Sequence, residues 1–380
     1  MTFMKQLVMF GGGSGSRDIT MALCRQRYDI TRVVPAWDSG GSSKALREHL
    51  SILAMGDIRQ ALMTLAHGEE RVSSVVRFFN ARLSEVATAA DLRAEFDFYA
   101  SGIHPLLGTM KPDIRDAVLD YLRVFKARTG DDFDFRRGSI GNFVLTGAYL
   151  AHGRDINAAI CVFRKLCGID GHVWPSTNHD GIELRADLRD GSLICGQDRV
   201  TALSPEQAQV GIRRVHLTTS DTDAVVPVAN PAVLAAIGTA DAIVFGPGSF
   251  YTSTLAHLGV GGIAHAIAAT RPEVPKILIG NILECPETTG RTLAELVQAF
   301  DLALGPGILT HLFANRGWVP FTRVVKGYCY LLEGCMDASS GSLPQVFADD
   351  FEDPWSRGKH DASKVAATLG GILGRLGNES

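Results

Sequence analysis

A short apolar strand that ends in a run of glycines is the feature that most restricts the fold of this chain. Residues 7–10 are apolar, and Gly11-Gly12-Gly13-Ser14-Gly15-Ser16 follow at once. Such a loop leaves backbone N–H groups uncovered, and together with the N-terminus of a following helix they form an anion site. Residues 18–27 have a helical pattern. Because Ser16 stands where the G-x-G-x-x-G fingerprint has its third glycine, a turn without a ligand is the alternative.

The overall composition excludes several classes of protein. The 380 residues suit one large domain or two medium ones, and 46% hydrophobic residues provide an ample core. A net charge of −4 gives no basic footprint, so we expect no nucleic-acid partner. The seven cysteines contain no C-x-x-C pair, which favours a reducing cytoplasm. The N-terminus lacks the apolar run of a signal peptide.

Residues 242–270 contain no charged side chain, and by length alone they would suit a membrane span. Pro247, several glycines and several hydroxyl residues would break such a helix early. The stretch is instead predicted to form a buried strand, a polar glycine loop and a packed helix. We therefore expect no membrane partner.

The predicted elements indicate an α/β fold. Strands at 3–10 and 30–37 flank the helix at 18–27, which predicts a parallel sheet with right-handed crossovers. Strands return at 242–245 and 276–280, each followed by a helix. Residues 71–137 are a predicted helical insertion, and 183–188 with 192–195 form a hairpin around Asp190-Gly191. The predicted fold class is a Rossmann-like, mostly parallel, doubly wound sheet with a helical insertion and a small hairpin.

The C-terminal region is predicted to be separate from this domain, which covers residues 1–335. Residues 336–357 are rich in Ser, Gly and Asp and suggest a linker, and residues 358–380 hold an amphipathic helix. Its apolar stripe consists of Val365, Leu369, Ile372, Leu373 and Leu376. The helix either packs back on the body or self-associates, which leaves a homodimer open.

Two further glycine and hydroxyl loops follow predicted strands, at residues 38–43 and 246–253. In an open parallel sheet, ligands bind outside the carboxyl ends of the strands, where the strand order reverses. Three such loops predict a phosphate or nucleotide site. The loop residues expected to contact it are Gly11, Gly12, Gly13, Ser14, Gly15, Gly40, Gly41, Ser42, Ser43, Gly246, Gly248, Ser249, Thr252 and Ser253.

Charged side chains near these loops extend the predicted site. Asp38 could grip a ribose hydroxyl, hold Mg²⁺ beside phosphates or cap the following helix. Arg47 and Arg59 are the cations best placed by sequence to bind phosphate. Asp57 either joins the site or caps its own helix.

Two amides are also candidates. Asn142 follows Gly141, and Asn281 follows the predicted strand at 276–280. Each either reads a base or sugar or caps a local turn.

The order of these motifs resembles the CofD/YvcK superfamily over roughly residues 5–325. The matching segments are Gly11–Gly15, Asp38–Ser43 with Leu46-Arg47, Gly56-Asp57-Ile58-Arg59, Gly141-Asn142, Pro175-Ser176-Thr177, Gly246–Ser249 with Tyr251-Thr252-Ser253, and Asn281. CofD proteins are 2-phospho-L-lactate transferases, and YvcK proteins are bacterial factors of carbon and cell-wall metabolism that bind UDP-sugars.

The resemblance implies a Rossmann-like core that holds a GDP- or UDP-type nucleotide diphosphate or nucleotide sugar at the loops. For a transferase it also implies Mg²⁺ and a role for Asp38 as metal ligand and catalytic residue. Two positions depart from the pattern: Ser39 stands for a second Asp, and Lys44 for a Gly. The family's Pro-Gly-Glu-Thr segment reads Pro286-Glu287-Thr288-Thr289. The expected function is transfer of a phospholactyl-type group to an acceptor hydroxyl, with a YvcK-like regulator that binds nucleotides without turnover as the alternative.

Overall fold

A seven-stranded sheet forms the centre of the molecule. The computed structural model describes residues 4–66, 73–219, 226–316, 329–334 and 343–376. The strands are β1 (Gln6–Phe10), β2 (Asp29–Val34), β3 (His172–Pro175), β4 (Ile182–Leu188), β5 (Leu193–Cys195), β6 (Ile212–Thr219), β7 (Ala242–Phe245), β8 (Lys276–Ile279), β9 (His311–Asn315) and β10 (Gln345–Asp349).

Helices connect and cover the strands. They are α1 (Arg17–Arg25), α2 (Ser42–Leu50), α3 (Gly56–Ala66), α4 (Ser74–Phe79), α5 (Ala89–Ala100), α6 (Pro112–Thr129), α7 (Ile140–Ala151), α8 (Ile156–Cys167), α9 (Gln197–Thr201), α10 (Pro205–Val210), α11 (Pro231–Thr239), α12 (Ile263–Ala268), α13 (Leu293–Leu304) and α14 (Ala362–Leu376). Shorter helical turns occur at Leu107–Thr109, Phe250–Thr254 and Leu255–Gly259.

The strand order of the large sheet is β10-β9-β8-β7-β1-β2-β3, and all neighbours are parallel. The chain builds one side from β1 to β3 and the other from β7 to β10. The strand order therefore reverses between β1 and β7, which is where ligands bind in sheets of this kind. The predicted doubly wound α/β fold is confirmed.

A second, antiparallel sheet has the order β5-β4-β6. Its β4–β5 hairpin pairs Ala186 with Ile194 and corresponds to the predicted hairpin. The third strand, β6, was not predicted. Its Arg213-Arg214 pair is exposed and interrupts the alternation of apolar and polar residues that would mark a strand.

One face of the large sheet is covered by α1 and α14. Their apolar side chains pack on those of the central strands in one buried cluster, including Leu23 of α1 and Val365 and Leu369 of α14. The C-terminal helix thus packs on the body of its own chain. The side chain of Leu376, predicted on the same stripe, lies outside the described part.

Residues 336–357 were predicted to form a linker, but part of this segment forms a strand of the large sheet. Residues 335–342 lie outside the described ranges, but residues 343–357 include β10, which pairs with β9 through Val346 and Leu312. A short apolar run among Ser, Gly and Asp gives little sequence signal, and its pairing depends on a sheet edge formed far away in the chain. The segment extends the sheet.

Across the described ranges, no helix has both the length and the apolar character needed to cross a bilayer. The charge-free stretch at 242–270 forms β7, the helical turns that follow it and α12.

Candidate functional site

The first and third glycine loops touch where the strand order reverses. A methyl group on Gly15 would lie 2.8 Å from the carbonyl oxygen of Pro247 and 2.9 Å from Gly248 Cα. A methyl group on Gly12 would lie 3.4 Å from Ser253 Oγ. The two loops are packed so closely that only glycine fits at position 15.

A cleft of about 610 Å³ opens at this contact. Its walls come from the first loop with the start of α1, from the third loop, from α3, from the segment after β8 and from residues 358–360. The lining includes Ser14, Gly15, Arg17, Asp18, Gln60, Gly248, Ser249, Asn281, Glu284, Lys359 and His360. Of the predicted residues in the first and third loops, Ser14, Gly15, Gly248 and Ser249 border this cleft, and the others do not line it.

Two helices begin at the glycine loops without a side-chain cap. Ser16 precedes α1 and Gly41 precedes α2, and neither position provides a capping hydrogen bond from its side chain. Gly41 has a φ of 51°, a left-handed conformation that glycine adopts readily. Because uncapped N-termini attract anions, both loops are suited to negative groups.

The second loop lies against the start of α3 and brings two carboxylates together. A methyl group on Gly56 would lie 2.9 Å from Asp38 Oδ2, and one on Gly13 would lie 2.8 Å from Asp57 Oδ1. Ser43 Oγ accepts a hydrogen bond from the N–H of Gly56 at 3.0 Å. Asp38, Asp57 and the first loop are therefore neighbours, although neither carboxylate and no residue of the second loop lines the cleft itself.

Burial controls the charge of these carboxylates. It raises the pKa of Asp38 and of Asp57, and the negative charge of Asp38 raises the pKa of Asp57 further. Arg32 and Arg59 act in the opposite direction on Asp57. The described residues contain no group of three or more His, Cys, Asp or Glu side chains suited to a metal. Two carboxylates fit Mg²⁺ only if ligand and water oxygens complete its shell.

Arg59 and Asn142 are buried and support the loops from behind. Arg59 Nε donates to Asn142 Oδ1 at 3.2 Å, and Asn142 Nδ2 donates to Ser42 Oγ at 2.7 Å. This chain of hydrogen bonds joins α3, α7 and the start of α2.

Arg47 contacts acceptors of the protein itself. It donates to Ser39 Oγ at 2.9 Å and to Glu183 Oε1 at 2.8 Å, and it also donates to the carbonyl of Ile182. The structure therefore places Arg47 between the second loop and β4, and its contact with phosphate stays a prediction.

Asn281 fixes the third loop through two hydrogen bonds. Its Nδ2 donates to the carbonyl of Gly248 at 2.8 Å, and its Oδ1 accepts from the N–H of Gly248 at 3.2 Å. Since it also lines the cleft, Asn281 both holds the third loop and borders the open space beside it.

Glu287 was not predicted as a site residue, although it lies in the divergent Pro-Glu-Thr segment. It is buried under the third loop and accepts from the N–H groups of Tyr251 and Thr252 at 2.8 and 3.1 Å. It also accepts from Thr252 Oγ1 at 2.6 Å. Burial raises its pKa to about 7. The hydroxyl of Thr252 thus faces a carboxylate of the protein.

Arg32 was also missed. This side chain of β2 is completely buried beneath the first loop, where its Nη2 donates to the carbonyl of Gly12 at 2.8 Å. Its neighbours Ile30, Val33 and Val34 are apolar, but Asp29 and Thr31 make a polar residue in this strand unremarkable, so the sequence gives no clear signal of its burial.

The Pro175-Ser176-Thr177 motif, which begins at the last residue of β3, forms hydrogen bonds within the protein. Ser176 hydrogen-bonds Nδ1 of the buried His257, whose Nε2 pairs with the carbonyl of Ser253 at 3.1 Å. Burial lowers the pKa of His257 to about 3, so the ring is neutral at physiological pH.

Comparison with known proteins identifies the family of the chain. The family model of 2-phospho-L-lactate transferase CofD matches residues 7–329. The chain belongs to the CofD family. The match begins in β1, contains all three glycine loops and ends before β10.

Curated relatives and solved structures of the family are also similar to the chain. A gluconeogenesis factor of Bacillus subtilis is 28% identical over 97% of this chain and 98% of its own length. A putative gluconeogenesis factor of Nostoc is 29% identical over 79% of this chain, which spans about half (52%) of that relative's length. A crystal structure of a Bacillus halodurans UPF0052 protein superposes with a TM-score of 0.71 at 25% identity, covering 96% of this chain and 99% of the other.

Proposed function

We propose that this protein binds the diphosphate of a GDP- or UDP-type nucleotide or nucleotide sugar in the cleft between β1 and β7. The observation that supports the proposal most is the contact of the first and third loops at the reversal of strand order, with the uncapped start of α1 beside it. Backbone N–H groups at such a position stabilise phosphate oxygens without requiring basic side chains.

The acidic pair supports transfer chemistry at this site. The oxygen of an acceptor hydroxyl attacks the phosphorus that bears the transferred group, and a new P–O bond forms. The P–O bond to the nucleoside monophosphate breaks and that monophosphate leaves, while Asp38 takes the hydroxyl proton. Mg²⁺ held by Asp38 and Asp57 would neutralise charge on the phosphate oxygens. The matching CofD model supports a phospholactyl-type group.

A second function is favoured by the relatives. The Bacillus subtilis protein that matches nearly end to end is named a gluconeogenesis factor. Ser39 also removes one carboxylate of the family pattern. The second proposal is therefore a regulator of carbon or cell-wall metabolism that binds the nucleotide without turnover.

Thermal unfolding with added ligands tests the binding that both proposals require. GDP, UDP-glucose and NAD are added separately at millimolar concentration with and without Mg²⁺. A ligand that binds the folded chain raises Tm, by an amount that grows with its concentration above Kd. We expect GDP or UDP-glucose to raise Tm. If none of the three nucleotides does so, both proposals are wrong.

A further inference from the structure

Arg32 is a buried cation that the proposed chemistry does not use. Its side chain lies on the face of the sheet that carries Ile30 and α1, and its exposure is 0%. Nη1 donates to Thr20 Oγ1 at 2.7 Å and Nη2 to the carbonyl of Gly12 at 2.8 Å. In the described part of the chain its Nε has no hydrogen-bond partner. Burying a guanidinium among neutral acceptors is costly, so an apolar residue would be the simpler choice here.

The peptide group between Gly12 and Gly13 is held at both ends by opposite charges. Its carbonyl oxygen accepts from Arg32, and the carboxylate of Asp57 lies beside Gly13, whose backbone N–H lowers the pKa of Asp57. The C=O and N–H of a trans peptide point in opposite directions, so this dipole runs from the cation to the anion. Rotation of the peptide by half a turn would place the oxygen against Asp57 and the N–H against Arg32. Between two glycines, little else opposes such a rotation.

Arg32 also reaches the far end of the loop. The hydroxyl of Thr20, which accepts from Arg32, donates to the carbonyl of Ser16 at 2.8 Å. One guanidinium thus ties down Gly12 at the start of the loop and Ser16 at the start of α1.

We propose that Arg32 is a positioning residue that locks the Gly12–Gly13 peptide in its observed orientation and so holds the first loop in the shape that receives the diphosphate at Ser14 and Gly15, without touching the ligand. Its positive charge is the property that matters. The inference rests on the proposed nucleotide site for its purpose, but the lock itself is a property of the free protein.

Glycine labelling observes this peptide directly. The chain contains five Gly-Gly bonds, at 11–12, 12–13, 40–41, 261–262 and 370–371. With carbonyl-¹³C and amide-¹⁵N glycine only, a carbonyl–amide correlation spectrum shows only these peptides, each assigned by replacing one glycine of its pair. In Arg32→Met we expect the 12–13 peak to shift or divide into two, while the 261–262 and 370–371 peaks stay in place. Arg32→Gln, which keeps a donor but loses the charge, should behave like Arg32→Met, and Arg32→Lys should return the peak towards the wild-type position.

Binding provides the second measurement. Titration with GDP and UDP-glucose should show affinity reduced at least about tenfold in Arg32→Met, the size of one lost charge-assisted hydrogen bond, with recovery in Arg32→Lys. Lys276→Met is the matched control, because Lys276 is a buried cation at the opposite, amino end of β8. It should leave both the 12–13 peak and the affinity unchanged.

The outcomes distinguish the proposed lock by Arg32 from the proposed nucleotide site. A 12–13 peak at the wild-type position in Arg32→Met and Arg32→Gln overturns the lock, whatever the protein binds. A displaced peak with wild-type affinity overturns its role in binding. If the wild type binds neither nucleotide, the proposed function is wrong, while the position of the peak still decides whether Arg32 locks the peptide.

Discussion

At the residue scale, the chemistry of the site depends on buried charge. Asp57 is buried beside Arg32 and Arg59, and the half-buried Asp38 feels the positive charge of Arg47. Burial lowers the pKa of each arginine to about 10, so both stay positive at neutral pH. The carboxylates are thus partly neutralised before any metal or ligand arrives.

Replacing Asp38 separates transfer from binding. In Asp38→Asn we expect release of nucleoside monophosphate from a nucleotide-diphosphate-activated donor to fall at least about 100-fold, because the proton acceptor is lost. The Kd of GDP measured without Mg²⁺ should change by less than about threefold, since the loop N–H groups remain. Asp190→Asn, in the turn of the β4–β5 hairpin, is the control and should retain wild-type values. Release that continues undiminished in Asp38→Asn excludes the catalytic role, and a wild type without any release favours the regulator.

Glu287 predicts a specific pH dependence of stability. Its pKa is raised by burial from 4.5 to about 7, so the folded chain holds this proton more tightly than the unfolded chain. The stability that it contributes is complete below about pH 4.5 and is lost as the pH rises through about 7. Glu287→Gln should remove that loss. Its free energy of unfolding relative to wild type should increase by about 1–3 kcal/mol between pH 5 and 8.

Urea unfolding at several pH values measures this difference. The neighbouring Glu284→Gln serves as the control. Its free energy of unfolding, plotted against pH, should run parallel to that of the wild type. A parallel curve for Glu287→Gln as well would contradict the prediction.

At the scale of elements, the site depends on two loops that must touch. The first loop follows β1 and the third follows β7, and Asn281 after β8 holds the third loop in place. Gly11 and Gly246 continue the strand ladders, through hydrogen bonds to Val33 and Phe10. The loops therefore leave the sheet side by side.

A methyl group at Gly15 should push the first and third loops apart. In Gly15→Ala the new carbon would lie 2.8 Å from the carbonyl oxygen of Pro247, so one loop must move. Overpacking of this kind costs about 1–3 kcal/mol, and we expect a lower Tm together with at least about tenfold weaker nucleotide binding. Gly108→Ala has open space around the new carbon and is the control. Wild-type affinity in Gly15→Ala would show that contact between the loops is not needed.

At the scale of the whole molecule, the C-terminal segment completes the fold. β10 extends the sheet, residues 358–360 border the cleft, and α14 packs on α1. All of these follow the end of the matching family model at residue 329.

Shortening the side chain of Leu369 to that of alanine tests this packing. Leu369 is fully buried, and Leu369→Ala should lower the free energy of unfolding by about 2–5 kcal/mol through a cavity. Because the contact lies within one chain, the loss should not depend on protein concentration. Gly371→Ala, with open space on the same helix, should be neutral or slightly stabilising. A destabilisation that disappears at high concentration would instead indicate self-association through α14.

The sequence reveals the parts of the site that are local. A strand followed by glycines is a continuous signal, so the loops at 11–16, 38–43 and 246–253 could be placed before the fold was known. Arg32, Glu287 and β10 could not, because their burial or pairing depends on segments distant in the chain. Hydrogen bonds formed only after folding also decide that Arg47 and Asn142 face protein groups.

A crystal structure of the protein with UDP-glucose or GDP and Mg²⁺ at millimolar concentration tests the central claim most directly. We predict that the diphosphate lies in the cleft between β1 and β7, with phosphate oxygens within hydrogen-bonding distance of the N–H groups of Ser14 and Gly15, which line it. A nucleotide bound elsewhere, or a cleft that stays empty at these concentrations, would contradict it.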